Sequence, residues 1–321
     1  MESGYIKDYK DGIPLYERLG KNVSESIQIL LDSSNIKMLS VIYRVKEVES
    51  FVEKIERKGY EHPNEVEDVC GVRIICYYQK DVNRIIEILE KEFDVHESVN
   101  KQENLKYDQF GYRSHHVMAS IKKDWEKTPN FKGLSVLRCE IQVRTVLMHA
   151  WAEIEHNLAY KNEAQTPEQF RRKLYRISAK LEEADEQFED LKKESEEYRR
   201  ELHNRKSDFY KDAELNIDSL QAFMDSNFPK RKKDIESTGV LLNELISHNI
   251  SLSDLAEAWI KVKPHFSKIE NDYWQTGPFK AWAQAGIARA VLDLTNLQYR
   301  NRRKMSPHIT KIEQLEKRYL Q

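Results

Sequence analysis

Cysteine, glycine and proline are all scarce in this chain of 321 residues. The three cysteines, Cys70, Cys76 and Cys139, lie in or beside segments that read as strands, and no C-x-x-C pair occurs. That argues against a disulfide scaffold or a zinc ribbon and for buried thiols in a reducing cytoplasm. With 10 Gly and 8 Pro set against 33% charged and 40% hydrophobic residues, the composition is that of a helix-rich folded protein rather than a disordered one. No apolar run is long enough to span a bilayer, and the opening M-E-S-G-Y-I-K-D-Y-K holds no apolar signal core. The expectation is a cytoplasmic protein with no membrane partner. A net charge of −2 gives no global pull toward nucleic acid, which leaves any such contact to local basic patches.

What is present is periodicity. Pro14 suits the first position of a helix, and Leu15, Leu19, Val23, Ile27, Leu30 and Leu31 follow at helical spacing. Ile36–Val45 reads as a strand that delivers Arg44 and Lys46 to its end. A helix closing near Gly59 then sets Ser50, Lys54 and Lys58 on one face. Val72–Tyr78 reads as a strand buried on both faces, followed by a helix capped by Asp81. Residues 94–104 are ambiguous between a short strand and a loop, while Ser114–Ile121 and Val136–Val143 read as strands. Asp68 and Glu140 each border an apolar strand-like run. A sheet joining those runs would bring two carboxylates to one edge, a common way to hold Mg²⁺ against a nucleoside triphosphate.

Beyond Pro167 the apolar residues fall in alternating steps of four and three, from Phe170 through Leu174, Ile177, Leu181, Ala184, Phe188 and Leu191. This is a heptad seam on a long charged helix, which either docks on its own domain or pairs with another chain. Short amphipathic runs follow at 217–228, 240–246 and 253–262, and a longer one at 279–297. Basic clusters at 230–233 and 300–304 are the local candidates for touching RNA or an acidic partner.

Three motifs stand in order: E-D-V-C-G-V-R-I-I-C (Glu67–Cys76), F-G-Y-R-S-H-H (Phe110–His116) and E-I-Q-V-R-T (Glu140–Thr145). R-V-K-E-V-E-S-F-V-E-K-I-E-R-K (Arg44–Lys58) precedes them and H-A-W-A-E-I-E-H-N-L-A-Y-K (His149–Lys161) follows. Together they resemble the synthetase domain of the RelA/SpoT family, which makes the alarmones ppGpp and pppGpp. The resemblance covers roughly the first half of the chain. It implies an α+β fold, with a mixed β-sheet and flanking helices related to nucleotidyltransferases, over residues 1–165. A long amphipathic helix (166–205) and a small all-α, regulatory C-terminal domain (206–321) would complete the chain. No H-D dipeptide typical of the family's hydrolase half occurs, so a synthetase-only enzyme is expected.

The resemblance also implies roles. ATP would be held by Arg44 on its adenine side and by Lys46, Ser50, Lys54 and Lys58 at its phosphates. Asp68 and Glu140 would bind Mg²⁺, Glu140 would activate the acceptor hydroxyl, and Arg73 would neutralise the transferred group. The acceptor, a guanine nucleotide, would meet Gly111, Tyr112 stacked on the base, His116, Gln142, Arg144 and Asn157, with His156 in support. One departure stands out. The family's usual P-K-x-N before the G-Y pair is replaced by Tyr107, Asp108, Gln109 and Phe110, so an acid stands where a cation binds the acceptor's 5′ phosphates. Lys101 and Lys106 are the nearby cations that compensate if GTP or GDP is the acceptor. Related toxic synthetases lack the basic patch and pyrophosphorylate the 3′ end of tRNA. That is the alternative here, with the C-terminal helices as antitoxin or sensor. A homo-oligomer or a protein regulator acting through those helices is a further open partner. A third reading, an inactive nucleotide-binding module, is opposed by the retention of both Asp68 and Glu140.

Overall fold

β1 (Met38–Val45), β2 (Cys70–Cys76), β3 (Phe93–Asn100), β4 (His115–Ile121) and β5 (Cys139–Thr145) form one sheet in the order β1-β2-β5-β4-β3. The β2–β5 pair is parallel and the other pairs are antiparallel, so the sheet is mixed as expected. The computed structural model describes residues 4–60, 66–101, 114–158, 167–204, 213–274, 281–302 and 306–321. It divides into two compact units, residues 1–192 and 193–321.

Side chains alternate across a strand, and here the alternation separates a core from a site. Val72, Ile74, Ile141, Val143, Val117 and Ala119 point to one face and are buried with Leu19, Val23 and Ile27 of α1 (Gly4–Ser33) and Ile85 and Leu89 of α3 (Gln79–Glu92). The opposite face carries Gly71, Arg73, Glu140, Gln142 and Arg144, all only half-buried. β2 was expected to be buried on both faces. Its apolar run conceals one polar position, Arg73, that opens onto the site.

Two further expectations are corrected. α1 does not start at Pro14 but runs through it from Gly4. An interior proline forfeits a hydrogen bond and crowds the preceding turn, yet that turn is pinned from outside. Tyr9 is buried and stacks flat on Phe51 at 3.8 Å, and its hydroxyl donates to the Lys46 carbonyl. Asp81 is not a cap, because Tyr78 occupies that position. It lies buried within the first turn of α3, paired with Arg84 at 3.1 Å and Lys192 at 3.3 Å.

α2 (Val48–Lys58) ends at Gly59, whose φ of 65° is the left-handed conformation that glycine adopts without cost. α4 (Val146–Leu158) continues directly from β5 and α5 (Glu168–Asn204) follows. The first part of α5 docks on its own unit. Leu174 and Leu181 pack on Met148 and Trp151, and Thr145 Oγ1 donates to the buried Asp185 at 2.5 Å.

In the second unit, α6 (Ile217–Asn227), α7 (Ile235–Ser247), α8 (Leu252–Val262), α9 (Phe266–Tyr273), α10 (Gln284–Thr295), α11 (Leu297–Arg302) and α12 (Ser306–Tyr319) enclose a core that includes Phe223, Leu241, Trp259, Ile287 and Tyr299. Three of the cluster residues are engaged in structural contacts. Arg231 makes a bidentate pair with Glu270, Lys233 meets Asp225, and the buried Arg300 bonds the Asp293 carbonyl and Glu316.

Candidate active site

The strand register builds the site in two rows. Arg44 pairs with Gly71, Gly71 with Glu140, Glu140 with Met118 and Met118 with Glu97. The next row runs Ile42, Arg73, Gln142, His116 and Val99. All ten line one of two cavities on this face. One, with about 590 Å³ of open space, lies over β1 and β2 beside Arg44, Arg73, Gln142 and Glu153. The other, about 830 Å³, lies over β3 and β4 beside Lys54, Glu97, Lys101 and His116. Asp68 and Glu140 line both.

Asp68, just ahead of β2, is clamped by Lys46 at 3.1 Å and Lys54 at 2.8 Å. Burial pushes its pKa up, but the hydrogen bonds and charges of the two lysines outweigh burial and leave it below the usual carboxylate value. Glu140 behaves likewise. Burial raises it, yet His116 Nδ1 at 2.6 Å, Gln142 Nε2 at 2.8 Å and the more distant Lys101 together bring it down to about 2. His116 is in turn fixed by Ser114, whose hydroxyl lies 2.7 Å from Nε2. Arg144 donates to Gln142 Oε1 at 2.8 Å, so one chain of hydrogen bonds runs Ser114–His116–Glu140–Gln142–Arg144.

Beside this chain positive charge accumulates. Burial, then the like charges of Arg73 and Arg44, pull Arg144 down to about 10 against the pull of Glu153 and Glu140. Among the described residues the ion-pair partner of Arg73 is Glu153, at 2.8 Å. The Nε atoms of Arg73 and Arg144 and Nδ1 of His149 are buried without a hydrogen-bond partner among the described residues. Buried donors left unpaired are costly, and a site that leaves the Nε–H groups of both Arg73 and Arg144 unpaired suits an anion with several acceptor oxygens.

The sheet and α2 thus bring together Arg44, Lys54, Asp68, Arg73, His116, Glu140 and Gln142 as cavity-lining residues, with Lys46 and Arg144 one contact behind. Ser50 and Lys58 are exposed on α2 and line neither cavity. Asn157 is exposed on α4, where its amide donates to the Glu153 carbonyl at 2.7 Å. Gly111, Tyr112, Asp108 and Lys106 lie outside the described residues, as does the side chain of His156. The cavities also divide the residues differently from the expected donor and acceptor sets, since Gln142 sits with Arg44 and Lys54 with His116. Glu153 as the partner of Arg73, and Glu97 on β3, were not assigned from sequence. The nearest signal was the place of Glu153 on the helix that follows the E-I-Q-V-R-T strand.

A profile of the region found in RelA / SpoT proteins matches residues 43–165, which run from the end of β1 through β2, β5 and α4. The GTP pyrophosphokinase YjbM of Bacillus subtilis is 33% identical over 159 residues, 48% of this chain and 72% of that protein. The chain belongs to the RelA/SpoT family. A second Bacillus subtilis member, the GTP pyrophosphokinase YwaC, is 30% identical over 156 residues, 47% of this chain and 72% of its own. The crystal structure of small alarmone synthetase 1 from Bacillus subtilis superposes with a TM-score of 0.50 at 26% identity, covering 60% of this chain and 99% of that one. A GTP pyrophosphokinase family protein from Streptococcus pneumoniae shares the fold, with a TM-score of 0.51 at 24% identity over 60% of this chain and 96% of that one. The family match ends at residue 165, well before the second unit begins.

Proposed function

We propose that this RelA/SpoT member transfers the β,γ-pyrophosphate of ATP to the 3′-hydroxyl of GTP or GDP, giving pppGpp or ppGpp. The observation that carries the reading is the pair of cavities meeting at Asp68 and Glu140, one of them flanked by Arg44, Arg73 and Arg144 with unpaired donors. Two substrates on either side of two carboxylates is the arrangement a group transfer needs. The polyphosphate of ATP takes the arginine side, where phosphate oxygens supply the acceptors that Arg73 and Arg144 lack. Lys46 and Lys54, held on Asp68 beforehand, have charge to share with it. The acceptor takes the side of His116 and Lys101, next to where the segment carrying Tyr112 enters β4.

The 3′-oxygen attacks the β-phosphorus, the bond from that phosphorus to the α-phosphate's bridging oxygen breaks, and AMP leaves. Glu140 accepts the hydroxyl proton. A carboxylate held near 2 is a weak base, so it takes the proton only as the 3′-oxygen bonds to phosphorus, while His116 and Gln142 hold it in place. Among the described residues no group of three or more metal-ligating side chains occurs. Two carboxylates lining both cavities nevertheless fit a cation such as Mg²⁺ that takes its other ligands from water and phosphate. Asp68 and Glu140 would hold it, and it would supply charge neutralisation to the polyphosphate. The alternative acceptor, the 3′ end of tRNA, is favoured only by Asp108, the acid in place of a phosphate-binding lysine. The test of the transfer chemistry is the nucleotide left behind. ATP should give AMP, in amounts that follow the added guanine nucleotide. ADP as product, or no AMP with any acceptor, would overturn the assignment.

A further inference from the structure

Glu153 lines the arginine-side cavity and is held there loosely. Asp68 and Glu140, which share that cavity, are each gripped by two side chains. Among the described residues the Glu153 carboxylate has one hydrogen-bond partner, Arg73, whose Nη1 donates to Oε1 at 2.8 Å. Nδ1 of His149, one turn back on α4, is 3.7 Å away and beyond hydrogen-bond reach. Burial and then Arg73 hold that imidazole below its ordinary pKa, so at neutral pH it brings little charge to the pair. Asn157 donates to the main-chain carbonyl of Glu153, not to its carboxylate. Arg73 is rooted in β2 with 21% of its side chain exposed, whereas Glu153 stands on α4 with 51% exposed. Of the two, Glu153 is the one free to swing away. The pairing also leaves the guanidinium half used, because Nε of Arg73 is buried without a partner among the described residues. A guanidinium fork binds best when two parallel bonds engage it.

We infer that Glu153 is a displaceable stand-in for phosphate on Arg73: a polyphosphate enters by exchanging with this carboxylate, and the exchange sets its affinity. The inference rests on the assignment of the ATP polyphosphate to the arginine side. Glu153 already does part of what a phosphate would do there, since its charge supports Arg144 against burial and the like charges of Arg73 and Arg44. A polyphosphate carries more charge and has oxygens for both unpaired Nε–H groups, so it displaces the carboxylate. A competitor that occupies the site in part of the molecules weakens apparent binding in proportion to the fraction left open. A half-exposed ion pair shifts such an equilibrium by up to about fivefold.

Titration calorimetry of the full chain with inorganic tripolyphosphate tests the exchange without any transfer chemistry. Glu153→Gln and Glu153→Ala should each bind it about fivefold more tightly than wild type. In an Arg73→Gln background the carboxylate has lost its partner, so adding Glu153→Gln should change binding by less than about twofold. With ATP as substrate, Glu153→Gln should lower KM for ATP by a larger factor than it changes kcat. If Glu153 instead oriented Arg73 to receive phosphate, both single variants would bind tripolyphosphate more weakly, and the proposal falls. Unchanged binding, no binding to any of the proteins, or an equal gain with and without Arg73 would also overturn it. AMP formation is a separate readout: tighter tripolyphosphate binding in the variants with no AMP from ATP would keep the exchange and reject the transfer assignment.

Discussion

Replacing Glu140 by Gln keeps the shape of the side chain and removes its charge, and the structure fixes how that should depend on pH. The carboxyl is held at about 2 instead of its ordinary 4.5. At about 1.4 kcal/mol per tenfold, this corresponds to about 3 kcal/mol of folding stability at pH 7. Because the folded value is depressed, the contribution is fully present above 4.5 and is lost as pH falls through 2. At pH 3 about 1 kcal/mol of it should remain. Glu140→Gln also loses some hydrogen-bond strength to His116 and Gln142 at every pH, so the informative quantity is the change in its penalty, not the penalty itself. Urea unfolding of wild type and variant, repeated from pH 7 to pH 3, should show the gap closing by about 2 kcal/mol. The same variant should lose at least about 100-fold in turnover at pH 7, the scale for removing a preorganised charge. A stability gap identical at pH 7 and pH 3 would refute the reasoning, because it would mean that the His116–Glu140 pair carries no net charge preference.

Asp68→Asn should lower the rate by about 100-fold or more while ATP affinity changes less, because Arg44, Arg73 and Arg144 are retained; equal losses in rate and affinity, read from initial velocities and calorimetry, would contradict the division of labour. Asp185 has the opposite sign: burial first, then Glu189, raise it to about 7. Its unfolded form sheds the proton near 3.8, so folding is penalised increasingly as pH rises from there to 7. Asp185→Asn, which can still accept from Thr145, should therefore stabilise the protein by about 2–4 kcal/mol at pH 8 and by little at pH 4, as followed by thermal melts. Gly20 on α1 leaves only 2.5 Å between an added Cβ and the Tyr43 ring. Gly20→Ala should cost about 1–3 kcal/mol, measured by denaturant unfolding.

Much of the site was legible because the site face is encoded by strand alternation within recognisable motifs. Arg73, Glu140, Gln142 and Arg144 fall on one side of β2 and β5 by spacing alone. Lys54 was readable from its helical position one turn from Ser50, but spacing could not say that Lys54, and not Ser50 or Lys58, is the α2 residue paired with Asp68. β3 was ambiguous because it is an edge strand with a bulge between Val95 and Glu97, which breaks the two-residue period. Pro14 misled because local propensity predicts a helix start, whereas a distant contact, Tyr9 on Phe51, extends the helix past it. The docking of α5 was undecidable from its seam. Leu174 and Leu181 pack on α4 while Phe170, Ile177, Phe188 and Leu191 are exposed, a distinction made by the fold. α12 was missed because Ile312 and Leu315 are few among many charges, although both are buried.

The most direct test of the central claim is the identity of the labelled acceptor. ATP labelled in its β- or γ-phosphate, with GTP, GDP or bulk tRNA supplied separately, is incubated with the full chain and the products are resolved by thin-layer and gel separation. The account predicts label in GTP and GDP as the 3′-pyrophosphorylated products, and its loss in Glu140→Gln. Label confined to tRNA, or guanine-nucleotide labelling that survives Glu140→Gln undiminished, would contradict it.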